Sequence, residues 1–144
     1  MQLAVAGSFD IPLADGAADV LTAVFSPIAA AEFARVLRPG GVLLLAVAGE
    51  RHLYELKQVL YEHPYENEHR ETGYEGFTFM SRKPVRTAAE LKSRQEISDL
   101  FSMTPYYWKT PAEGAKRLAE LTTLRTELGF DLLCYRRDDT ASLP

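Results

Sequence analysis

Two continuous apolar runs mark the first fifty residues of the chain. Residues 19–25 read DVLTAVF and residues 42–47 read VLLLAV, and runs of this length predict strands buried on both faces of a parallel sheet. Residues 28–37 have apolar side chains at helical spacing, and the segment RPGG at 38–41 is expected to end that helix, because glycine supplies a left-handed cap. This alternation predicts an α/β domain. We expect the two strands to be parallel neighbours, since a right-handed crossover joins them.

The other elements follow from shorter patterns. Residues 3–6, LAVA, indicate a strand, and residues 7–18 indicate a loop, since they contain proline and glycine. The predicted order continues with a helix at 51–61, a loop at 63–73, an extended segment at 74–87, a helix at 88–101, an aromatic loop at 103–110, a helix at 111–128 and a strand at 130–135. We expect one domain over residues 1–137 and a disordered tail at 138–144.

Composition and charge exclude several classes of protein. The chain has 144 residues and a formal net charge of −4 at pH 7, so it has no global attraction to nucleic acid, and contact with RNA would need a local basic patch. Its one cysteine, Cys134, excludes a disulfide framework and a CxxC zinc site. No apolar stretch is long enough to span a bilayer, and the first residues lack the basic segment of a signal peptide. A cytoplasmic protein is therefore expected.

Two segments resemble the signatures of class I S-adenosylmethionine (SAM) methyltransferases. Residues 10–20 contain DIPLAD followed by ADV, and residues 32–41 read EFARVLRPGG, which is similar to the helix-to-strand pattern E-x-x-R-V-L-K-P-G-G of that family. The resemblance implies two sets of contacts to SAM. The adenine side would be formed by Ala6, Gly7, Ser8 and Phe9. The side near the transferred methyl group would be formed by Phe25, Ser26 and Pro27.

Other motifs resemble a narrower group, the bacterial 23S rRNA guanine-N1 methyltransferases and their macrolide-resistance relatives. Ser26-Pro27 stands where these proteins carry Ala-Pro, GERHLYELK stands at 49–57, and FSMTPYYW stands at 101–108. The similarity spans residues 3–136. It implies SAM as the cofactor, 23S rRNA as the partner and in-line methyl transfer to guanine N1 as the reaction. The protein would supply positioning and removal of the N1 proton.

The sequence departs from that family at its start. Family members carry a cysteine-rich zinc module, then a strand ending in D-x-G-x-G-x-G, then an acidic residue that grips the ribose, and none of these is found here. The resemblance therefore implies a C-terminal part of the domain, with a partial Rossmann-like sheet that lacks its first two strands. In such a sheet residues 3–6 have no neighbouring strand, and residues 19–25 form an exposed apolar edge that tends to pair with other chains.

Three interpretations of the activity stay open. The chain could be a truncated methyltransferase, a remnant without catalysis, or an interaction subunit whose sheet is completed by a partner chain, including a second copy of itself. In each case we expect weak or absent SAM binding by the chain alone, because the glycine loop and the ribose clamp are the main grips on the cofactor in the family.

Candidate substrate residues fall into an aromatic and a basic group. Tyr106 and Trp108 could stack on a splayed guanine, although aromatic loop residues also close cores. Arg82, Lys83 and Arg86 could contact RNA phosphates, although a solvated face of the protein has the same composition.

One histidine is a candidate for the base. His52 lies in the motif shared with the rRNA enzymes, and the base itself cannot be assigned from sequence. The histidines His52, His63 and His69 have acidic neighbours, but their spacing matches no known ligand pattern. We therefore expect no metal site.

Overall fold

The computed structural model describes residues 3–68 and 73–139. His69 and most of the predicted tail, residues 140–144, lie outside this range. The chain divides into two compact units. The first comprises Met1–Val47, Arg70–Pro84 and Asp131–Pro144, and the second comprises Ala48–His69 and Val85–Phe130.

The described residues form four strands, four α-helices and one short 3₁₀ helix. In chain order these are β1 Ala18–Val24, α1 Ala30–Val36, β2 Leu37–Ala48, α2 Tyr54–Leu60, β3 Phe77–Leu91, α3 Arg94–Ser102, a 3₁₀ helix Pro105–Trp108, α4 Ala112–Glu120 and β4 Leu124–Arg137. The sheet order is β1-β2-β4-β3, so the last strand lies between the second and the third. None of the described helices is long and apolar enough to cross a membrane.

The strands β1 and β2 are parallel neighbours, as their apolar runs predict. Val20 pairs with Val42 and Val24 pairs with Ala46. The intervening helix α1 ends earlier than predicted, because Leu37 is already extended, with ψ 141°. Gly40 has a φ of +70° but lies within β2, where the register with β1 shifts. Its left-handed conformation therefore serves this irregularity in the strand and does not cap the helix.

The core of the first unit forms where α1 packs on β1 and β2. Phe33 and Leu45 are each 2% exposed and Leu43 is fully buried. Tyr135 of β4 joins this cluster, and its ring lies edge-on to Tyr74 at a centroid distance of 5.2 Å. The predicted run at 42–47 lies inside β2, with Leu43 and Leu45 on its buried face and Leu44 39% exposed on the other.

The core of the second unit is built from three helices. Leu56 and Leu60 of α2 are fully buried against Ile97 of α3 and Leu118 of α4. Helix α4 approaches α2 closely because position 114 is glycine: a Cβ placed there would lie 2.0 Å from the carbonyl oxygen of Leu60.

Residues 3–6 are not a strand, contrary to the pattern. This segment has no strand assignment, and Leu3 and Val5 are fully or largely exposed. The physical reason is pairing: a four-residue strand is held by its neighbour, and no strand of the described chain pairs with it.

The predicted helix ends in the second half were also wrong. Strand β3 continues to Leu91, and α3 begins only after Ser93, whose hydroxyl accepts a hydrogen bond from the Glu96 amide at 3.2 Å. Helix α4 ends at Glu120 and β4 begins at Leu124, so Gly129 lies inside a strand. Sheet pairing overrides local helix preference in both segments, since each residue added to a strand gains ladder hydrogen bonds and cross-strand contacts.

Candidate functional site

An open groove of about 660 Å³ lies beside β1 in the first unit; we call it the β1 groove. Its lining includes four of the residues that the family resemblance assigns to SAM: Ala6, Gly7, Ser8 and Ser26. Residues along the length of β1 line it, including Val20, Thr22 and Val24. Phe9, Phe25 and Pro27, the other three predicted cofactor residues, are not among its lining residues.

The loop that forms one wall of the β1 groove begins with a tight turn. The Asp10 amide donates to the Gly7 carbonyl at 3.2 Å, and Phe9 lies within the turn with 71% of its surface exposed. This turn leaves the Phe9 ring in solvent, which is where a residue that stacks on a bound ring system would need to be before binding.

A polar clamp holds the next part of the same loop on α1. Glu32 accepts a hydrogen bond from the Ile11 amide at 2.7 Å. Arg35 donates to the carbonyls of Ile11 and Leu13 at 2.9 and 2.8 Å, and pairs with Glu32 and Asp15 at 2.7 Å each. The hydrogen bond from Arg35, supported by the one from Ile11, lowers the pKa of Glu32 from 4.5 to about 2. This network explains the E-x-x-R pattern as a device that fixes the groove wall.

We expect the clamp to open in acid. A carboxylate whose pKa is lowered in the folded state stabilises it fully above its unfolded pKa and loses that contribution as pH falls through the folded pKa. For Glu32 the window runs from pH 4.5 down to about 2. The measurement is the free energy of urea unfolding from pH 7 to 2 for the native chain and for Glu32→Gln. The difference between them should shrink as pH falls across this window, and a difference that is constant with pH would contradict the clamp.

The carboxyl end of β1 has an unusual backbone. Phe25 follows the strand with a φ of 49°, in the left-handed region that non-glycine residues rarely adopt. Its amide donates to the Ala46 carbonyl at 3.1 Å, which extends the β1–β2 ladder by one step. Local strain of this kind concentrates at functional sites, and ligands of open α/β sheets bind beyond the carboxyl ends of the strands. Phe25, Ser26 and Pro27 therefore stand where a ligand site is expected.

The β1 groove fits one part of SAM better than another. The described residues that line it offer hydroxyl groups from Ser8, Thr22 and Ser26 and an otherwise mainly apolar surface, and none of them is charged. Such a surface suits the adenine ring. It supplies no ion-pair partner for the ammonium and carboxylate of the methionine part, so the fit to the whole cofactor is partial.

The candidate base His52 belongs to the second unit. Its ring lies 5.0 Å from that of Phe130, and burial lowers its pKa. The imidazole is therefore neutral at pH 7, which is the protonation state that a general base needs.

The structure gives the predicted basic residues different environments. Arg82 donates to Asp131 at 2.8 Å, and the Asp131 side chain is 2% exposed. Arg86 donates to the Phe130 carbonyl at 2.8 Å and lies 3.6 Å from a carboxylate oxygen of Glu127. Lys83 is exposed. Two of the three cations therefore have structural partners within their own unit.

The aromatic loop also differs from its prediction. Tyr106 is half-buried, with its ring edge-on to Tyr61 at 6.2 Å, and burial raises its pKa to about 12. Trp108 is 84% exposed, and Tyr107 is 48% exposed with its ring 5.0 Å from the indole. The exposed aromatic pair is thus Tyr107 and Trp108. The sequence offered Tyr107 in the same run of aromatic residues, but nothing in the run shows which tyrosine packs inward.

A buried lysine was not predicted. Lys57 of α2 is fully buried, and its Nζ donates to the Asn67 side chain at 2.8 Å and to the Tyr65 carbonyl at 3.1 Å. Burial lowers its pKa. Asn67 in turn donates to the Gly49 carbonyl at 2.7 Å, so the lysine ties the loop after α2 to the segment that precedes the helix. Its position among the inward-facing leucines of α2 was the available signal.

Metal ligation finds no support in the described part of the chain. Residues 3–68 and 73–139 contain no group of three or more His, Cys, Asp or Glu side chains that could hold an ion.

The parallel β1–α1–β2 unit, the sheet order and the groove at β1 define a partial Rossmann-like fold of the class I methyltransferase type, as predicted. A crystal structure of a Bacillus halodurans C-125 protein described as a methyltransferase matches 93% of this chain and 76% of its own with a TM-score of 0.51 at 15% identity. A protein studied for the conversion of a disulfide bond into a thioacetal group during echinomycin biosynthesis matches 96% of this chain and 57% of its own with a TM-score of 0.50 at 16% identity. At these identities the likeness shows the fold alone.

Sequence comparison makes the resemblance more specific. The chain is 32% identical over 137 residues to the Bacillus subtilis protein YxjB, named as a 23S rRNA (guanine-N(1)-)-methyltransferase, and covers 49% of it. It is 35% identical over 125 residues to the 23S rRNA (guanine(748)-N(1))-methyltransferase of Streptomyces fradiae and covers 44% of it. The chain therefore spans about half the length of the curated relatives it matches, and the predicted resemblance is confirmed. No family model matches the chain.

Proposed function

We propose that this chain takes part in SAM-dependent methylation of guanine N1 in 23S rRNA, in the cytoplasm where that RNA is made. The observation that carries the proposal is its 35% identity, across 82% of its length, to a named guanine-N1 methyltransferase. The β1 groove supports it, because it gathers Ala6, Gly7, Ser8 and Ser26 beside the carboxyl end of a parallel strand.

In this proposal the site residues divide by the part of the reaction they serve. Ala6, Gly7 and Ser8 would hold the adenine ring, with Phe9 closing over it. Phe25, Ser26 and Pro27 would lie next to the methyl group that SAM supplies. His52, as a neutral imidazole, is the candidate to accept the guanine N1 proton.

RNA contacts would come from the second set of predicted residues. All three residues of this cluster are exposed: Arg82, Lys83 and Arg86. Arg82 and Arg86 pair with carboxylates, so Lys83 is the first candidate for a phosphate contact. Trp108 offers an exposed ring for stacking, whereas Tyr106 would support it from the half-buried side of the loop.

We expect the chain alone to bind SAM with a dissociation constant weaker than about 1 mM. The β1 groove offers stacking and a few hydroxyl contacts, and each net hydrogen bond contributes about 1 kcal/mol. Association costs roughly 4–15 kcal/mol in lost translational and rotational freedom, and no charged side chain among the described lining residues offsets it. Titration calorimetry with SAM measures this directly. A micromolar dissociation constant for a monomer would overturn the assignment of a partial cofactor site.

A second candidate function is an interaction subunit whose sheet is completed by another polypeptide. The observation that favours it is β1 itself, an edge strand of the four-stranded sheet with Val20 and Val24 54% and 63% exposed. An apolar edge of this kind is a template for pairing with a further strand.

One experiment separates the two candidates. The chain is co-expressed with the part of the Bacillus subtilis relative that it does not match, assembly is checked by size-exclusion chromatography, and N1-methylguanosine in 23S rRNA is measured by mass spectrometry. The methyltransferase proposal expects no product from the chain alone and product from the assembled pair. Assembly without product would favour the interaction subunit.

A matched pair of variants tests whether methylation depends on the β1 groove. Ser26→Trp would fill the β1 groove and abolish methylation, whereas Gln58→Trp, on the exposed side of α2, should leave it unchanged. Equal activity in the two variants would remove the groove from the proposal.

A further inference from the structure

We propose that a cleft between α3 and α4, together with the Tyr107–Trp108 pair, binds a single unpaired nucleotide of an RNA strand. This inference rests on the proposed function, since the strand would be the substrate RNA, and it adds a nucleotide subsite with its own residues. The cleft has a volume of about 420 Å³, within the range of small-ligand pockets. We call it the α3–α4 cleft.

The α3–α4 cleft has an apolar lining and a polar edge. Ile97 and Leu118 are nearly fully buried, and Phe101 packs with them. Arg94, Gln95 and Ser98, three exposed residues from the first half of α3, supply the polar groups of the lining. A nucleobase presents an apolar face and a polar edge, so a pocket with both kinds of surface matches it.

The aromatic pair meets the cleft through Tyr107, which contacts rings on both sides. Tyr107 lines the cleft, and its ring lies 5.4 Å from Phe101 and 5.0 Å from Trp108, the latter at an interplanar angle of 86°. The Tyr107 amide donates to the Thr104 carbonyl at 3.3 Å, which fixes the short 3₁₀ helix. Trp108 nevertheless remains 84% exposed. Exposed aromatic rings on a fixed backbone are the usual platforms for unpaired bases.

The positive charge of the cleft lining favours a nucleotide over an uncharged apolar ligand. The whole chain has a formal net charge of −4, yet the described residues that line the cleft include Arg94 and no carboxylate. Two acidic residues of α3 adjoin lining residues in sequence. Asp99 accepts a hydrogen bond from Gln95 at 2.8 Å, and Glu96 accepts one from the Lys92 amide at 2.5 Å. A guanidinium beside an aromatic surface provides a phosphate contact next to a stacking contact, which is the combination that single-stranded RNA requires.

The chain carries its own reporter for this site, because Trp108 is its single tryptophan. An unlabelled single-stranded RNA octamer of mixed sequence is titrated into the full chain, and indole fluorescence is followed. Stacking on Trp108 should quench it in a saturable manner. The anisotropy of the same octamer with a fluorescent label gives the affinity for variants that lack the indole.

Trp108→Ala and Tyr107→Leu are each expected to weaken binding by roughly 5- to 100-fold, the range of one lost base-stacking contact. Arg94→Gln should weaken it and lower its salt dependence. The matched control is Lys116→Gln on α4, which removes one exposed charge from a residue that does not line the cleft. Thermal unfolding of each variant verifies that these exposed substitutions leave the fold intact.

An indole signal that does not respond to RNA would overturn the inference, and so would an octamer affinity that is equal in the native chain and in Trp108→Ala. Quenching that depends on protein concentration without RNA would instead assign the aromatic pair to a contact between copies, and would also overturn it. Quenching by RNA would leave the nucleotide site standing even if the chain assembled with the unmatched part of the Bacillus subtilis relative gave no methyl transfer, a result that would remove the proposed function. Methyl transfer by the assembled pair that is unchanged by Trp108→Ala would leave the proposed function standing and remove the nucleotide site.

Discussion

Replacing Arg82 with alanine is expected to destabilise the chain strongly, although this residue looks from the sequence like a surface cation available to RNA. Its guanidinium lies 2.8 Å from Asp131, whose side chain is 2% exposed. Removing the cation that faces a buried carboxylate typically costs about 3–5 kcal/mol. We expect the lower end of this range, since the Arg82 side chain is itself 31% exposed. Urea unfolding at pH 7 measures the loss.

Two controls distinguish this ion pair from a general effect of charge. Lys83→Ala removes the neighbouring exposed cation and should change the free energy of unfolding by less than about 0.5 kcal/mol. Asp131→Asn combined with Arg82→Ala should recover much of the loss, because the buried charge is then gone. Equal effects of Arg82→Ala and Lys83→Ala would contradict the structural role of Arg82. The result also guides RNA-binding experiments, where Lys83 is the variant that can be interpreted without a stability correction.

Gly114→Ala is expected to destabilise the chain, although glycine-to-alanine substitutions in helices usually stabilise proteins. In an ordinary helix interior, alanine is favoured over glycine by about 1 kcal/mol. At position 114 the added Cβ would lie 2.0 Å from the Leu60 carbonyl oxygen and 2.9 Å from its carbon, so α2 and α4 must move apart. Overpacking of this kind costs about 1–3 kcal/mol. Thermal unfolding should therefore show a lower midpoint for the variant.

The matched control for this prediction is a glycine with open surroundings. A Cβ at Gly73 would meet no atom within 4 Å, so Gly73→Ala should change the unfolding midpoint little. A midpoint for Gly114→Ala at or above that of the native chain would mean that the two helices can separate without loss, and that Leu60 and Gly114 do not set their spacing.

The motif arguments and the structure agree best where a motif is local. The segment EFARVLRPGG resembles the helix-to-strand signature of the family, and in the structure its Glu32 and Arg35 hold the preceding loop through the loop backbone. The aromatic motif predicted Tyr106 and Trp108 as stacking residues, and the structure shows Tyr107 beside Trp108 as the more exposed tyrosine. A motif specifies which residue types occur together, whereas the choice between Tyr106 and Tyr107 depends on the side of the 3₁₀ helix that packs against Tyr61.

Much of the first half of the sheet could be predicted from the sequence. The runs at 19–25 and 42–47 are apolar, of strand length and bounded by turn residues, which favours strands, and the helix between them made them parallel neighbours, as Val20 and Val42 show. The burial of β1 did not follow from its apolar run, because β1 lies at the sheet edge, where Val20 and Val24 are 54% and 63% exposed.

Tertiary structure alone decided the features that depend on a distant partner. Residues 3–6 have a strand pattern but no strand to pair with. Residues 121–128 continue the helical pattern of α4, but in the structure residues 121–123 lead into β4 and residues 124–128 belong to that strand. Arg82 and Lys57 look like surface cations until Asp131 and Asn67 are brought to them from elsewhere in the chain. Hydrogen bonding and burial between segments far apart in sequence leave no local pattern, so only the folded chain shows which charges are structural and which face solvent.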